Sequence, residues 1–160
     1  MSLRSKLLTL VLVRDVTRSR VLLGLKKRGF GAGKWNGFGG KVEPGETVEE
    51  GARRELLEES GLCAQELLPA GRIEFEFEGD PCLLDVHVFT VEKFSGEPQE
   101  TEEMRPAWYQ EADIPFDKMW VDDIHWFPFV VERKLFRGRF LFQGHDTILK
   151  HSLQAVDSLT

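Results

Sequence analysis

The stretch GKVEPGETVEEGARRELLEESGL, residues 40–62, contains the most informative spacing in the chain. Glu55, Glu58 and Glu59 recur at i, i+3 and i+4, so a helix would place their carboxylates, here called the glutamate triad, on one face. Because like charges so close repel one another, a cation between them is one explanation. Ligands that are all oxygen favour Mg2+, with Mn2+ second. An acidic helix face open to solvent is the alternative, and the triad alone does not decide between the two.

The same stretch predicts where the helix begins and ends. Thr47 followed by Glu50 fits a capping box, and Gly61 is a typical C-terminal stop, so we expect a helix over residues 47–60. Ala52, Leu56 and Val48 would form its buried face. Arg54 lies one turn before Glu58 and is placed to pair with it.

Composition narrows the class of protein. We expect one domain over residues 1–160, since this length can bury a single core. A net charge of −6 argues against a nucleic-acid polymer as partner, because polymer binding requires a basic surface. A small polyanion that brings its own metal ions remains compatible with this charge.

Two features bear on the compartment. The apolar run LLTLVLV after Lys6 has only seven residues and no cleavage site, so we expect a buried strand rather than a signal peptide. No stretch is long enough to predict a membrane-spanning helix. Cys63 and Cys82 match no metal-binding spacing and make no disulfide framework. Reduced cysteines are typical of an intracellular protein.

A glycine-rich segment precedes the acidic helix. Residues 7–13 and 21–27 predict a β-hairpin, and residues 29–41 then contain six glycines and no acidic residue. Five cations lie between Val21 and Val42, without an intervening Asp or Glu: Lys26, Lys27, Arg28, Lys34 and Lys41. A cationic segment directly before carboxylates is what a metal–polyphosphate site requires. A flexible loop with solubilising lysines is the alternative.

The second half of the chain predicts more strands and one helix. Residues 72–79 alternate, with Ile73, Phe75 and Phe77 on one face, and residues 83–94 predict the antiparallel partner. Residues 107–110 predict a short strand, and residues 137–153 a strand or hairpin followed by a polar tail. A helix from Asp122 or Asp123 through Arg133 would be kinked by Pro128 or would begin later than the aspartates. These elements together predict an α+β fold.

The sequence MWVDD, residues 119–123, is the second candidate for chemistry. Trp120 offers an indole for stacking, and Asp122 with Asp123 offers carboxyl groups for the edge of a purine. A helix N-cap with an acidic neighbour is the alternative, and residue chemistry alone favours it. Phe75 and Phe77 are likewise more typical of a core than of a ligand wall.

The first stretch also resembles a known family. Its pattern G-x5-E-x7-R-E-U-x-E-E-x-G-U, where U is aliphatic, is similar to the Nudix box without a departure. The matching positions are Gly40, Glu46, Arg54, Glu55, Leu56, Glu58, Glu59, Gly61 and Leu62. The resemblance implies a mixed β-sheet between α-helices and Mg2+-dependent hydrolysis of a nucleoside diphosphate linked to a group X.

Other runs resemble a narrower group within that family. VLLGLKKRGFGAGKWNGFGGKV, EEMRPAWYQ, FDKMWVDDIHWFP and FQGHDTIL are similar to the animal Nudix hydrolases of oxidised purine nucleoside triphosphates. This implies conversion of 8-oxo-dGTP and 2-hydroxy-dATP to monophosphate and pyrophosphate by a monomer. It also implies a cytoplasmic protein, with the mitochondrial matrix and nucleus as further compartments. ADP-ribose, dinucleotide polyphosphates or capped RNA as substrates, and a silent nucleotide-binding module, are the alternatives.

The resemblance implies roles for individual residues. Metal ligands would be the Gly39 carbonyl, Glu55, Glu58, Glu59 and Glu103. Glu59 would also help to activate water, with Glu103 as a second base and Glu55 beside them. The residues implied to contact substrate are Thr9, Lys26, Phe30, Asn36, Phe38, Gly39, Gly40, Lys41, Phe75, Phe77, Met104, Trp120, Val121, Asp122, Asp123, Trp126 and Phe142.

Overall fold

An eight-stranded mixed β-sheet carries the other elements in the computed structural model, which describes residues 4–160. In chain order the elements are β1 (Arg4–Asp15), β2 (Arg20–Lys26), β3 (Trp35–Asn36), α1 (Val48–Ser60), β4 (Cys63–Ala64), β5 (Leu68–Phe77), β6 (Cys82–Val91), β7 (Phe94–Ser95), β8 (Met104–Gln110), α2 (Asp123–Val131), β9 (Phe136–Gln143) and β10 (Thr147–Ala155). Two 3-10 turns, Glu111–Asp113 and Phe116–Lys118, lead into α2.

The strand order is β10-β9-β5-β6-β1-β2-β3, and β8 also pairs with β2. β1 is parallel to β6 and β5 is parallel to β9, whereas the other pairs of this sheet are antiparallel. β4 and β7 form a separate two-stranded ribbon. The α+β prediction with a mixed sheet is therefore confirmed.

Two apolar cores lie on opposite faces of the sheet. Alternation along β1 sends Leu12 into one core and its neighbours Val11 and Val13 into the other. α2 covers the first core with Trp126 and other apolar residues, and α1 covers the second with Leu56 and Ala52. The sheet thus lies between the two helices, as predicted.

Several element boundaries differ from the predictions, among them the starts of β1, β5 and β8. The strand predicted over residues 107–110 begins earlier, at Met104, because Met104 and Arg105 continue the antiparallel register with β2. α2 has Asp122 at its N-cap, as one predicted alternative gives, contains Pro128 and ends at Val131 rather than Arg133, so the alternative of a later start is wrong. Proline is tolerated because it lies on the exposed side, where Ile124, four residues earlier, also faces solvent and its carbonyl can be hydrated.

The glycine-rich segment is held against β1. Thr9 N–H donates to the Gly40 carbonyl at 2.9 Å, and Val11 N–H donates to the Phe38 carbonyl. A Cβ on Gly39 would lie 1.9 Å from the Thr9 carbonyl oxygen, so only glycine permits this approach. This contact holds the residues just before the loop that leads into α1 next to β1.

Two further observations concern the cysteines and the lengths of the helices. Cys63 and Cys82 are free thiols. Within residues 4–160, none of the helices has both the length and the apolar character needed to span a bilayer.

Candidate active site

A cavity of about 840 Å3 opens on the α2 side of the sheet, between β1, the glycine-rich segment and the residues that begin α2. It has a carboxylate end, at Gly39, Gly40 and Glu59, and an aromatic end, at Trp120 and the aspartates. The predicted site residues that line it are Thr9, Lys26, Phe30, Asn36, Gly39, Gly40, Lys41, Glu59, Phe75, Phe77, Met104, Trp120, Asp122, Asp123, Trp126 and Phe142.

Two predicted contact residues lie elsewhere. The Phe38 side chain is fully buried and packs in the α1-side core, although its backbone pairs with β1. Val121 is partly buried against the other core and does not line the cavity. Successive residues of an extended segment face opposite sides. Gly37 and Gly39 therefore face the cavity, and the Phe38 side chain faces the α1-side core.

Glu59 is the most buried carboxylate of the triad, at 6% exposure. Its Oε1 accepts a hydrogen bond from Gly39 N–H at 2.9 Å. The pKa of Glu59 is raised to about 7; burial is the largest cause and the negative charges of Glu55 and Glu103 add to it, while the Gly39 hydrogen bond and the charge of Lys26 oppose the change. In the absence of a metal ion, this carboxyl is therefore poised to hold or release a proton near neutral pH.

Arg54 organises the exposed side of the triad. Its guanidinium donates to Glu46 at 2.7 and 3.0 Å, to Glu55 at 2.9 Å and to Glu58 at 3.3 Å. The hydrogen bond from Arg54 lowers the pKa of Glu46 to about 2. The predicted pairing of Arg54 with Glu58 is present, and it is part of a larger network that fixes the loop before α1 to the helix.

Glu103 approaches from the loop before β8. It accepts hydrogen bonds from Arg28 Nε at 2.8 Å and from Lys26 Nζ at 3.3 Å. These bonds, Arg28 first, lower the pKa of Glu103. The Glu103 carboxylate is thus ionised and is held by the side chains of Lys26 and Arg28.

The carboxylates suit a hard divalent cation, although they are not gathered around one point. Within residues 4–160, no three His, Cys, Asp or Glu side chains converge at metal-binding distances. Glu55 and Glu58 are turned towards Arg54, and Glu103 towards Arg28. Glu59 is nevertheless buried among negative charges, and the Glu55 carboxyl packs directly over Gly40, where a Cβ would lie 2.8 Å from it. Oxygen donors on one helix face fit such an ion after side-chain rotation.

Asp122 and Asp123 form a buried acidic pair at the aromatic end, each 2% exposed. Asp122 Oδ2 accepts a hydrogen bond from Trp126 Nε1 at 2.8 Å. Within the described part of the chain, Asp123 Oδ2 has no hydrogen-bond partner. Although Asp122 occupies the N-cap position of α2, its side chain makes no capping hydrogen bond, so the N-cap interpretation does not account for it.

Burial raises the pKa of both carboxyls. The increase is larger for Asp123, where the charge of Asp122 and the hydrogen bond between the two side chains add to burial, and the nearby charge of Lys34 opposes them. Of the two carboxyls, Asp123 therefore favours the protonated form more strongly, and Asp122 favours the acceptor role. The pair presents one donor-bearing and one acceptor carboxyl in an apolar surrounding.

Aromatic rings form the walls around this pair. The Trp120 ring lies 5.0 Å from Phe30 between ring centroids, and Phe77 stacks on Phe142 at 5.5 Å. Phe75 and Phe77 face the cavity as well as packing against the core, so the choice between core and ligand wall was too narrow. The space between the walls suits a flat heterocycle.

Some lining residues were not predicted. Leu8 and Leu10 line the cavity and pack against the same core as Leu12, so they share its face of β1, a period of two that the sequence did contain. His145 lies on the turn between β9 and β10. A single histidine in a polar Gly-His-Asp turn gives no signal from which its place could be predicted.

The fold and the carboxylate helix define the class of the protein. A NUDIX domain model matches residues 6–130, and the chain belongs to this family. The family generally uses a divalent metal ion.

Relatives are known over nearly the whole chain. The oxidized purine nucleoside triphosphate hydrolase of Danio rerio is 60% identical over 155 residues, which cover 97% of this chain and 98% of that protein. The protein of the same name from Mus musculus is 58% identical, covering 96% and 97%. Among solved structures, a MutT protein from Bacillus halodurans superposes with a TM-score of 0.83 at 25% identity, covering 93% of this chain and 97% of that one.

Proposed function

We propose that this chain is a pyrophosphohydrolase of oxidised purine nucleoside triphosphates, such as 8-oxo-dGTP and 2-hydroxy-dATP. It converts them to monophosphate and pyrophosphate, and so keeps damaged bases out of the pool used for DNA synthesis. One observation carries the proposal: a single cavity joins the buried Asp122–Asp123 pair to the Glu59 end of the carboxylate helix. The relatives at 58–60% identity bear the corresponding name.

The aromatic end accounts for selection of the base. The purine lies against Trp120, and its edge meets Asp122 and Asp123. Because one carboxyl is protonated and the other accepts, the pair can hydrogen-bond to an edge with both donors and acceptors. The edge of a normal purine has a different pattern of donors and acceptors, so it would leave the buried carboxyls of Asp122 and Asp123 without partners. The transition state for its hydrolysis is therefore bound less tightly.

The carboxylate end accounts for the cleavage. Mg2+, with Mn2+ as a substitute, would be held by the Gly39 carbonyl, Glu55, Glu58, Glu59 and Glu103, where it supplies charge neutralisation of the phosphates and a lowered pKa for water. Glu59 accepts the proton of the attacking water, and Glu103 is the second candidate base. Lys26 and Lys41 lie along the cavity as cations for the triphosphate.

The rest of the proposal concerns the context of the reaction. The substrate is a free nucleotide rather than a nucleic-acid polymer, in agreement with the net charge of −6. We propose that the chain works as a single-domain monomer in the cytoplasm, with the mitochondrial matrix and nucleus as further locations.

Initial rates on dGTP, 8-oxo-dGTP and 2-hydroxy-dATP, measured side by side by pyrophosphate release, test the proposal. We expect both oxidised nucleotides to be preferred over dGTP in kcat/KM. Glu59→Gln should reduce kcat by about 10²–10⁴-fold with the fold intact. A higher rate on ADP-ribose, a dinucleotide polyphosphate or capped RNA would assign a different substrate. Absence of turnover on the whole panel would favour a silent binding module.

A further inference from the structure

Four rings from separate segments meet at the opening of the aromatic end; we name Phe30, Phe77, Trp120 and His145 the mouth cluster. The His145 ring centroid lies 5.0 Å from that of Phe30, 5.2 Å from Trp120 and 6.1 Å from Phe77. Phe30 is 58% exposed, which is unusual for a ring with three aromatic neighbours. The cluster lines the cavity yet leaves ring surface open to it.

The turn that carries His145 is tied to the opposite loop. Asp146 Oδ1 lies 3.2 Å from Lys34 Nζ, and the same ammonium lies 5.3 Å from the centroid of the Trp120 ring. Gly144 has a φ of 64°, which lets the chain reverse between β9 and β10. The Lys34–Asp146 pair therefore joins the turn of His145 to the loop that bears Phe30.

From this geometry we propose that His145 is a further nucleobase-contacting residue and that the Lys34–Asp146 ion pair positions it. The inference rests on the proposed function, because it assigns the aromatic end to an oxidised purine. A purine beside Trp120 meets the cluster at its open edge, and His145 completes the aromatic wall there. His145 packs against three aromatic rings, so the role requires an aromatic side chain.

The expected effects are moderate and specific. Loss of one aromatic contact should weaken base binding by about 2–10-fold. Loss of the Lys34–Asp146 ion pair should weaken base binding by about 1.5–5-fold, because the Asp146 side chain is 80% exposed. Both changes should raise KM and leave kcat nearly unchanged, since neither residue reaches the carboxylate end.

The experiment compares His145→Ala and His145→Phe with the wild type. KM and kcat are measured on 8-oxo-dGTP, and calorimetry measures the Kd of 8-oxo-dGMP without metal. We expect His145→Ala to raise KM and Kd together and His145→Phe to restore both. His151→Ala is the matched control, because this histidine is exposed on β10 and does not line the cavity. Equal losses in the Ala and Phe variants, or unchanged values in both, would overturn the proposal.

A charge exchange tests the positioning pair. Lys34→Asp and Asp146→Lys should each raise the Kd of 8-oxo-dGMP, and the double exchange should recover part of the loss. A double variant as weak as the sum of the single ones would contradict the positioning role. Failure of the proposed function is distinguishable, because the wild type would then neither hydrolyse 8-oxo-dGTP nor bind 8-oxo-dGMP more tightly than dGMP.

Discussion

Glu59 differs from its neighbours on α1 by its surroundings rather than by its position in the sequence. It is buried, accepts a hydrogen bond from Gly39 N–H and has a pKa near 7, whereas 59% of the Glu58 side chain is exposed. The spacing that identified the triad treats the three glutamates alike. Only the packing of the glycine-rich segment over the helix distinguishes them.

The pKa of Glu59 has a consequence for stability without metal. The folded state holds the proton up to about pH 7, whereas the unfolded chain releases it near 4.5. Stability should therefore fall as pH rises from about 4.5 to 7, by up to about 3 kcal/mol from this group. Glu59→Gln should remove that part of the decline. The measurement is denaturant unfolding in a chelator across this pH range, with Glu58→Gln as control; parallel curves for Glu59→Gln and the wild type would contradict it.

Asp122 and Asp123 are adjacent in sequence but unequal in environment. Asp122 accepts a hydrogen bond from Trp126, whereas burial beside the charge of Asp122 raises the pKa of Asp123 and favours its protonated form. Where asparagine replaces the protonated Asp123, it keeps a hydrogen-bond donor. Where asparagine replaces Asp122, one of the two acceptor oxygens becomes an NH2 donor, which cannot accept from Trp126 if it faces the indole. We expect the two Asn variants to change the kcat/KM ratio of 8-oxo-dGTP to 2-hydroxy-dATP unequally, by about 10-fold. Equal losses on both substrates in both variants would refute unequal roles for the two carboxyls.

At the scale of elements, α1 is the part that its own sequence specifies. Thr47 Oγ1 accepts from Glu50 N–H at 3.1 Å, Glu50 Oε1 accepts from Thr47 N–H at 2.9 Å, and Gly61 adopts a φ of 79°. The two hydrogen bonds join residues three apart, and the φ angle belongs to one residue. The local sequence pattern was therefore sufficient to predict both ends of the helix.

Removal of the cap tests this account. Thr47→Ala should lower stability by about 1 kcal/mol, because the N–H of Glu50 loses its acceptor. For a chain of this length the expected fall in Tm is about 2–4 °C. Thr47→Ser keeps the hydroxyl and should stay within about 1 °C of the wild type. A thermal scan by circular dichroism distinguishes the variants, and an unchanged Tm for Thr47→Ala would show that the box contributes nothing.

The elements that escaped prediction depend on distant partners. β8 extends back to Met104 because β2 lies beside it, and no local signal marks that start. The family resemblance implied that Phe38 contacts substrate, but alternation turns its ring to the other core. The side chain of Asp122 leaves its capping position because Trp126 supplies a buried donor. In each case a tertiary contact overrides the local preference.

At the scale of the molecule, the sheet holds two chemically different ends of one cavity in fixed relation. α1 lies on one face and α2 on the other, and the glycine-rich segment connects them through its contact with β1. The carboxylates of α1 and Glu103 come from parts of the chain more than 40 residues apart. A cation bound by both would link the helix to the loop before β8.

This arrangement predicts how Mg2+ should affect the stability of the whole protein. Binding to the folded state alone, at 100 times Kd, should stabilise by about 2.7 kcal/mol, or roughly 5–10 °C in Tm. Glu59→Gln should abolish most of this shift, and Glu103→Gln should reduce it if the loop before β8 takes part. Glu49→Gln, exposed on the first turn of α1, is the matched control and should keep the full shift. A full shift in Glu103→Gln would confine the metal site to the helix and Gly39. A full shift in Glu59→Gln would place the ion elsewhere, because a buried carboxylate among negative charges is the group that a cation should stabilise most.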